Sequence, residues 1–281
     1  MSAGNQDQSA YWNGEVGRRW ATHHRALDRA FRPFTEALFA RAALEPGRRV
    51  LDIGCGSGET ALIAARTVGS GGRVTAADLS EPLLETARAR AAQEPPGSAP
   101  IQWLRADAQS HAFGADFDHA LSRFGVMFFD DSLAAFRNIR RSLVPGGRLS
   151  FLCWRPMDEN DWVTVPRAAV LPLLPPVEPP APGAPSPFRF AARETLLPIL
   201  EAAGFRTVEH QRLDRTMVLG DTPETAADFA ATRGPIARLL RECEPELRET
   251  ALKVITRLFT EQFGPGPVSL GAACWLVTAR T

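Results

Sequence analysis

Apolar positions recur at helical spacing through the first part of the chain and then change period. Between Tyr11 and Ala43, the residues Trp20, Leu27, Phe31, Phe34 and Leu38 follow one another at intervals of seven, four, three and four, which builds a single apolar helical face. Pro33 is read as the start of a fresh helix within that stretch, since proline suits a first turn and breaks an interior. The triplet EPG at Glu45 to Gly47 ends the helical pattern. From Arg49 onward, short apolar runs alternate with helical segments. Strands are predicted near 49–53, 73–77, 101–105, 117–122 and 147–154, and helices near 58–68, 81–93 and 132–144. Ser80, followed by Glu81 and Pro82, has the chemistry of an N-cap and first turn. Strands alternating with helices imply an α/β fold with a parallel sheet covered on both faces.

The alternation breaks after Trp154. From Leu171 to Pro187 (LPLLPPVEPPAPGAPSP) proline is too dense for a helix or a central strand, so 156–190 reads as a loop insertion, either a stiff surface excursion or the edge of a lid. A helix is expected at about Arg193–Ala203, a strand over FRTVEHQRLDRTMVLG, a largely helical segment over 223–263 and a closing strand over VSLGAACWLVTAR. The chain therefore divides into an N-terminal helical cap (1–46), a core (47–155), the proline-rich insertion (156–190), the remainder of the sheet (191–222 and 265–281) and a helical insertion over the substrate pocket (223–264).

Composition narrows the function classes. The 281 residues carry a formal net charge of +0 and are 44% hydrophobic, so there is no electrostatic footprint for nucleic acid or an anionic membrane. No signal-peptide pattern opens the chain and no apolar run reaches the roughly 18 residues of a membrane span; a cytoplasmic enzyme is the expectation. Cys55, Cys153, Cys243 and Cys274 are too scattered for a zinc site or a redox dithiol, and no metal is expected. Lys253 is the only lysine. That excludes a P-loop, which needs a lysine after its glycines, and a pyridoxal Schiff base, which needs one in a pocket.

The chemistry-bearing stretch is VLDIGCGSGET, Val50 to Thr60, a strand followed by three alternating glycines and a helix. A glycine turn ahead of a helix N-terminus is a general site for nucleotide or adenosyl ligands. Asp78 ends the second strand about 20 residues past Gly58, where a carboxylate accepts from ribose hydroxyls in either NAD or S-adenosylmethionine sites. The spacing GxGxG, with Glu59 where a dinucleotide fingerprint has its third glycine, disfavours NAD. Asp107, just past the third strand in LRADAQ, is placed to accept from an adenine amine while the Ala108 N–H faces a ring nitrogen. A nicotinamide-dependent oxidoreductase and a non-catalytic adenosyl-binding regulatory protein stay open as alternatives.

VLDIGCGSG, then Asp78, ADAQ and LVPGGRLSF, resembles the ordered motif set of class I S-adenosylmethionine-dependent methyltransferases, in the branch similar to ubiquinone/menaquinone C-methyltransferases. The motifs span roughly 47–155. AYWNGEVGRRW and SRFGVMFF resemble a bacterial subgroup with diverse acceptors, natural products of secondary metabolism among them. The resemblance implies a Rossmann-like doubly wound sheet of seven strands, the last antiparallel, with a helical cap and a helical insertion. It implies that Gly54, Cys55 and Gly56 line the cofactor, that Asp52 fixes the turn and the cofactor's amino group, that Asp78 holds the ribose, that Leu79 packs on adenine and that Asp107 with Ala108 reads its edge. Ser122, Arg123 and Phe124 complete the cofactor set, Arg123 pairing with the methionyl carboxylate, an acidic substrate or a structural carboxylate. S-adenosylhomocysteine is the implied product.

Methyl transfer from a sulfonium needs in-line placement of a nucleophile above all, and a base only as an aid. His23 or His24, in the cap, is the candidate base, although adjacent residues cannot share a helix face. His111 and His119 read as loop and structural residues. Tyr11, Trp12, Trp20, Met127, Phe128 and Trp154 are expected to converge at one sheet edge as a pocket for a flat apolar, quinone-like or phenolic acceptor, with the VMFF run partly core.

Overall fold

The computed structural model describes residues 3–175 and 185–281. Three helices open the chain: α1 (Ala3–Asn13), α2 (Glu15–Thr22) and α3 (His24–Ala42). Then β1 (Arg49–Ile53), α4 (Glu59–Val68), β2 (Arg73–Asp78), α5 (Glu81–Ala91), β3 (Ile101–Arg105), β4 (Phe117–Arg123), α6 (Ser132–Ser142) and β5 (Leu143–Trp154) alternate as the periodicity requires. α7 (Asp161–Val170), α8 (Arg193–Ala202), β6 (Arg206–Gly220), α9 (Pro223–Arg233), α10 (Ile236–Arg241), α11 (Pro245–Phe263) and β7 (Val268–Arg280) complete the fold.

The seven strands lie in the order β3-β2-β1-β4-β5-β7-β6, parallel from β3 to β5, with β7 antiparallel to both β5 and β6. This is the doubly wound α/β sheet with an antiparallel last strand. Each central strand feeds both faces. On β1, Val50 packs with Ala61, Ala64 and Ala65 of α4, while Leu51 and Ile53 join the opposite core beside Phe34 and Leu38 of α3. Alanines on α4 let that helix sit close to the sheet.

Two expectations need correction. Pro33 does not begin a helix; it lies inside the continuous α3. A proline there forfeits one backbone hydrogen bond, and burial of Phe31, Phe34 and Leu38 offsets the loss. The insertion 156–190 is not loop throughout, because Asp161–Val170 is helical despite Pro166, with Trp162, Val163, Pro166 and Val170 forming its buried face. The densest proline stretch, 176–184, lies outside the described residues. The 223–263 segment is three helices, interrupted at Gly234 and Pro235 and again before Pro245.

The register explains where the insertion sits. Trp154, the last residue of β5, pairs with Cys274, while Gly220 pairs with Val268, so the β6/β7 pair overhangs the end of β5. That overhang carries α9 to α11 above the carboxyl edge of the parallel strands, where α2 lies against both α5 and α9. Among the described residues no helix is long and apolar enough to cross a membrane.

Candidate active site

The first strand ends in a loop whose three glycines all have left-handed backbones: Gly54 at φ +67°, Gly56 at +54° and Gly58 at +87°. They serve different purposes. A Cβ on Gly58 would come within 2.8 Å of the Trp103 ring and 2.9 Å of the Ala87 Cβ, so this glycine lets α4 and α5 close up. A Cβ on Gly54 would reach 3.0 Å from the Cα of Gly125, which marks a close approach of the loops after β1 and β4. A Cβ on Gly56 would meet nothing within 4 Å. The backbone there faces open space.

Two carboxylates flank this loop. Asp78 takes the Gly56 N–H at 2.8 Å on one oxygen and the Ser80 N–H at 2.9 Å on the other. A carboxylate offers about four lone-pair sites, so these two bonds leave acceptor capacity for a further donor. Burial pushes the Asp78 carboxyl up, against the opposing pull of those N–H groups. Asp52 is fully buried; its Oδ2 accepts from the Thr60 hydroxyl at 2.6 Å and its Oδ1 has no partner among the described residues. Burial pushes its carboxyl up to about 7, opposed by the Thr60 bond and the Arg123 charge. A buried carboxylate oxygen without a partner, on the strand that leads into the glycine loop, fits a ligand that brings a cationic donor.

The remaining expected cofactor residues are placed as follows. Cys55 is buried, and its thiol is pushed well up by burial. Leu79 follows Asp78 and its carbonyl accepts from Asn13. Asp107 accepts from the Gln109 N–H at 2.9 Å and the Ser110 hydroxyl at 3.2 Å, and Ala108 accepts from Asn138. Their segment is tied to the site by the Ala106 N–H, which donates to the Asp78 carbonyl. Ser122 is buried and braces the two loops, donating to the Ile53 carbonyl at 2.7 Å and accepting from the Gly125 N–H. Phe124 has φ +63°, rare for an aromatic residue. Arg123 is ion-paired with Glu59, donates to the Thr35 hydroxyl at 2.7 Å, lies 3.9 Å from Asp28 and sits over the Phe31 ring. In this structure the structural carboxylate holds it.

The aromatic segments converge. Trp12 meets Trp20 and Phe128 edge-on, each with centroids 5.5 Å apart, and Phe31 contacts Phe124 at 5.4 Å. Phe124 stacks on Trp154 at 4.0 Å, and the Met127 sulfur accepts from the Trp154 N–H. Met127 and Trp154 are buried, while Phe128 is part-exposed. Tyr11 is exposed at the outer end of this group, beneath Arg241.

The histidines stand apart. His23 is at the α2/α3 junction, its imidazole held below the usual histidine range by burial and by Arg233. His24 bonds the Ala21 carbonyl and lines a cavity of about 500 Å³ with Arg25, Glu59, Arg66 and Arg90, on the outer side of α4 and α5. Neither hydrogen-bonds to the glycine loop among the described residues. His119 bonds the Ser150 hydroxyl and is held neutral by burial, at about 3. No group of three or more His, Cys, Asp and Glu side chains among the described residues could hold a metal ion.

Several residues that shape the site escape pattern reading. Asn13 clasps the turn after β2, donating to the Leu79 carbonyl at 2.9 Å and accepting the Glu81 N–H at 3.0 Å. Ser80 caps α5 as expected and also donates to the Trp12 carbonyl at 2.6 Å. Gly125, Thr60 and Glu59 complete the set; a glycine directly after a strand, in SRFG, was the available signal for the first.

Residues 50–147, which hold the glycine loop, Asp52, Asp78, Asp107 and the loop after β4, match the family model described as a methyltransferase domain. The match to a methyltransferase domain covers the strand–helix alternation from β1 into β5. An uncharacterized protein of Mycobacterium tuberculosis is 38% identical over 138 residues, 48% of each chain. The 2-phytyl-1,4-naphtoquinone methyltransferase of Synechococcus elongatus is 40% identical over 112 residues, 40% of this chain and 48% of its own. The chain thus spans about half the length of the curated relatives it matches. Among solved structures, the YcgJ protein of Bacillus subtilis shares the fold of the methyltransferase domain and its flanks, with a TM-score of 0.57 at 18% identity over 88% of this chain and 97% of that one.

Proposed function

We propose that this chain transfers a methyl group from S-adenosylmethionine to a small organic acceptor held between the cap and the helices α9 to α11. One observation carries the reading: the glycine loop has an open backbone at Gly56 tied to the Asp78 carboxylate, and the strand that leads into it carries Asp52 with a buried oxygen unmatched. S-adenosylmethionine, when bound, supplies an electrophilic methyl carbon on a sulfonium. In this reading Asp52 accepts from the cofactor's ammonium group, Asp78 from its ribose hydroxyls, and Asp107 with the Ala108 N–H reads the adenine edge.

The protein's own contribution is placement. Trp12, Trp20, Phe31, Phe124, Phe128 and Trp154 exclude water around the reacting centre, and ring faces favour a nearby cation by about 0.5–2 kcal/mol. Holding an acceptor in line contributes up to about 7–11 kcal/mol without a proton acceptor. The positions of His23 and His24 agree with a reaction in which neither is the base, and a quinone-like or phenolic acceptor suits the ring-lined wall.

Calorimetry with S-adenosylmethionine and S-adenosylhomocysteine tests the reading. Binding by the wild type and at least a tenfold loss in Asp78→Ala are expected; a wild type that binds neither compound overturns it.

A further inference from the structure

A second cavity, of about 290 Å³, lies where the cap meets the insertion. Its floor is apolar, with Val16 of α2, Ala231 of α9, Leu240 of α10 and Leu252 of α11. Its volume is near the lower end of ligand sites, roughly 300–1,000 Å³, and suits a molecule of one or two rings.

The charges around it are unequal. The three wall carboxylates are each matched: Glu15 by Arg19, Asp228 by Arg233 and Glu249 by Lys253. Arg241 and Arg248 also line the cavity, are exposed and form no ion pair among the described residues. Two guanidinium groups without counter-ions beside an apolar floor are complementary to an anion with an apolar body.

The cavity is connected to the methyltransferase domain by rings. Arg241 lies 5.1 Å from the Tyr11 ring, Tyr11 meets Trp12 at 5.3 Å, and Trp12 meets Phe128 and Trp20 at 5.5 Å each. Trp20 reaches Phe31, which touches Phe124 and Trp154. These packed rings run from Arg241 to Phe124, the residue before Gly125, and Arg248 stands outside the series.

We propose that this cavity is a ligand site for an aromatic carboxylate, its anion held at the mouth by Arg241 and Arg248 and its ring on the apolar floor. The inference goes beyond the methyl-transfer reading and does not depend on it.

The test is calorimetric titration with 1-naphthoate and with the neutral 1-naphthamide, each in the presence and absence of S-adenosylhomocysteine. Naphthoate is expected to bind at least tenfold more tightly than the amide. In the double variant Arg241→Gln/Arg248→Gln that preference disappears while amide binding is unchanged, which also reports an intact fold; Arg257→Gln, on α11 but outside the cavity, behaves as wild type. Equal affinity for the two probes, no binding of either, or a preference that survives the double variant overturns the proposal. Loss of the S-adenosylhomocysteine heat alone bears on the cofactor reading instead, because the probes are also measured without it.

Discussion

The Gly56 N–H donates to the Asp78 carboxylate at 2.8 Å, so the tip of the first strand's loop is fastened to the end of the second strand. The bond fixes the loop in a shape that leaves the Gly56 backbone facing open space and keeps the carboxylate turned toward it. One contact thus presets both halves of the proposed adenosyl cradle.

The glycines of this loop separate stability from binding. Gly58→Ala forces a left-handed alanine and a clash with Trp103 and Ala87, and is expected to cost about 2 kcal/mol or more of stability. Gly56→Ala meets no protein atom and should cost only about 1 kcal/mol, while S-adenosylhomocysteine affinity falls more than tenfold. Urea denaturation and calorimetry on the two variants check the contrast.

Asp52 makes stability depend on pH. Burial pushes its folded carboxyl up to about 7, well above the ordinary aspartate range. Between that range and the raised value the folded state holds a proton that the unfolded state has lost. Its contribution is therefore full below about pH 4 and fades as pH rises toward 7, by on the order of a few kcal/mol. Asp52→Asn keeps an acceptor for Thr60 and should flatten this part of the profile, measured by urea denaturation at pH 5 and 7.5. Cofactor binding runs the opposite way in the wild type, tightening as pH rises through about 7, because only the ionised carboxylate attracts an ammonium group.

Arg123 and Glu59 form a largely buried pair, each side chain no more than 16% exposed. Removing one member strands the other, so Glu59→Gln and Arg123→Met should each cost about 3 kcal/mol by urea denaturation. If Arg123 turns to the methionyl carboxylate when the cofactor binds, only Arg123→Met also weakens S-adenosylmethionine binding. Equal affinity in both variants assigns Arg123 to structure alone.

Asn13 fastens the cap to the turn that carries Leu79 through two hydrogen bonds. Asn13→Ala should loosen that docking by about 1–2 kcal/mol. Faster limited proteolysis within residues 7–22, with little change in the global urea midpoint, is the expected signature.

The core strands were legible because each is a short apolar run with glycine or proline at its ends, and β1 and β3 fall at the predicted positions. The helix at 161–170 was not, since Pro166 and its valines argue locally against helix while Trp162 and Val170, buried against neighbouring elements, decide for it. Pro33 misled for the same reason: packing on both sides outweighs one lost hydrogen bond. Around the glycine loop, strand–turn–helix spacing had already brought Gly56 and Asp78 together, and they are hydrogen-bonded, whereas Asp52 entered through the family resemblance alone. The Asn13 clasp and the Arg123–Glu59 pair join residues more than sixty positions apart, and no local pattern encodes such a meeting.

The pairing of Gly220 with Val268 brings both ends of the 223–264 segment to neighbouring rungs of one ladder. A segment anchored in that way can be exchanged or resized at little more than loop-closure cost, because the sheet beneath it does not register what lies between. Under the proposed function, the stretch that would hold the donor and the stretch that would choose the acceptor are thereby separable, and the two curated relatives described above match this chain over 48% and 40% of its length. The roof can change while the foundations stand.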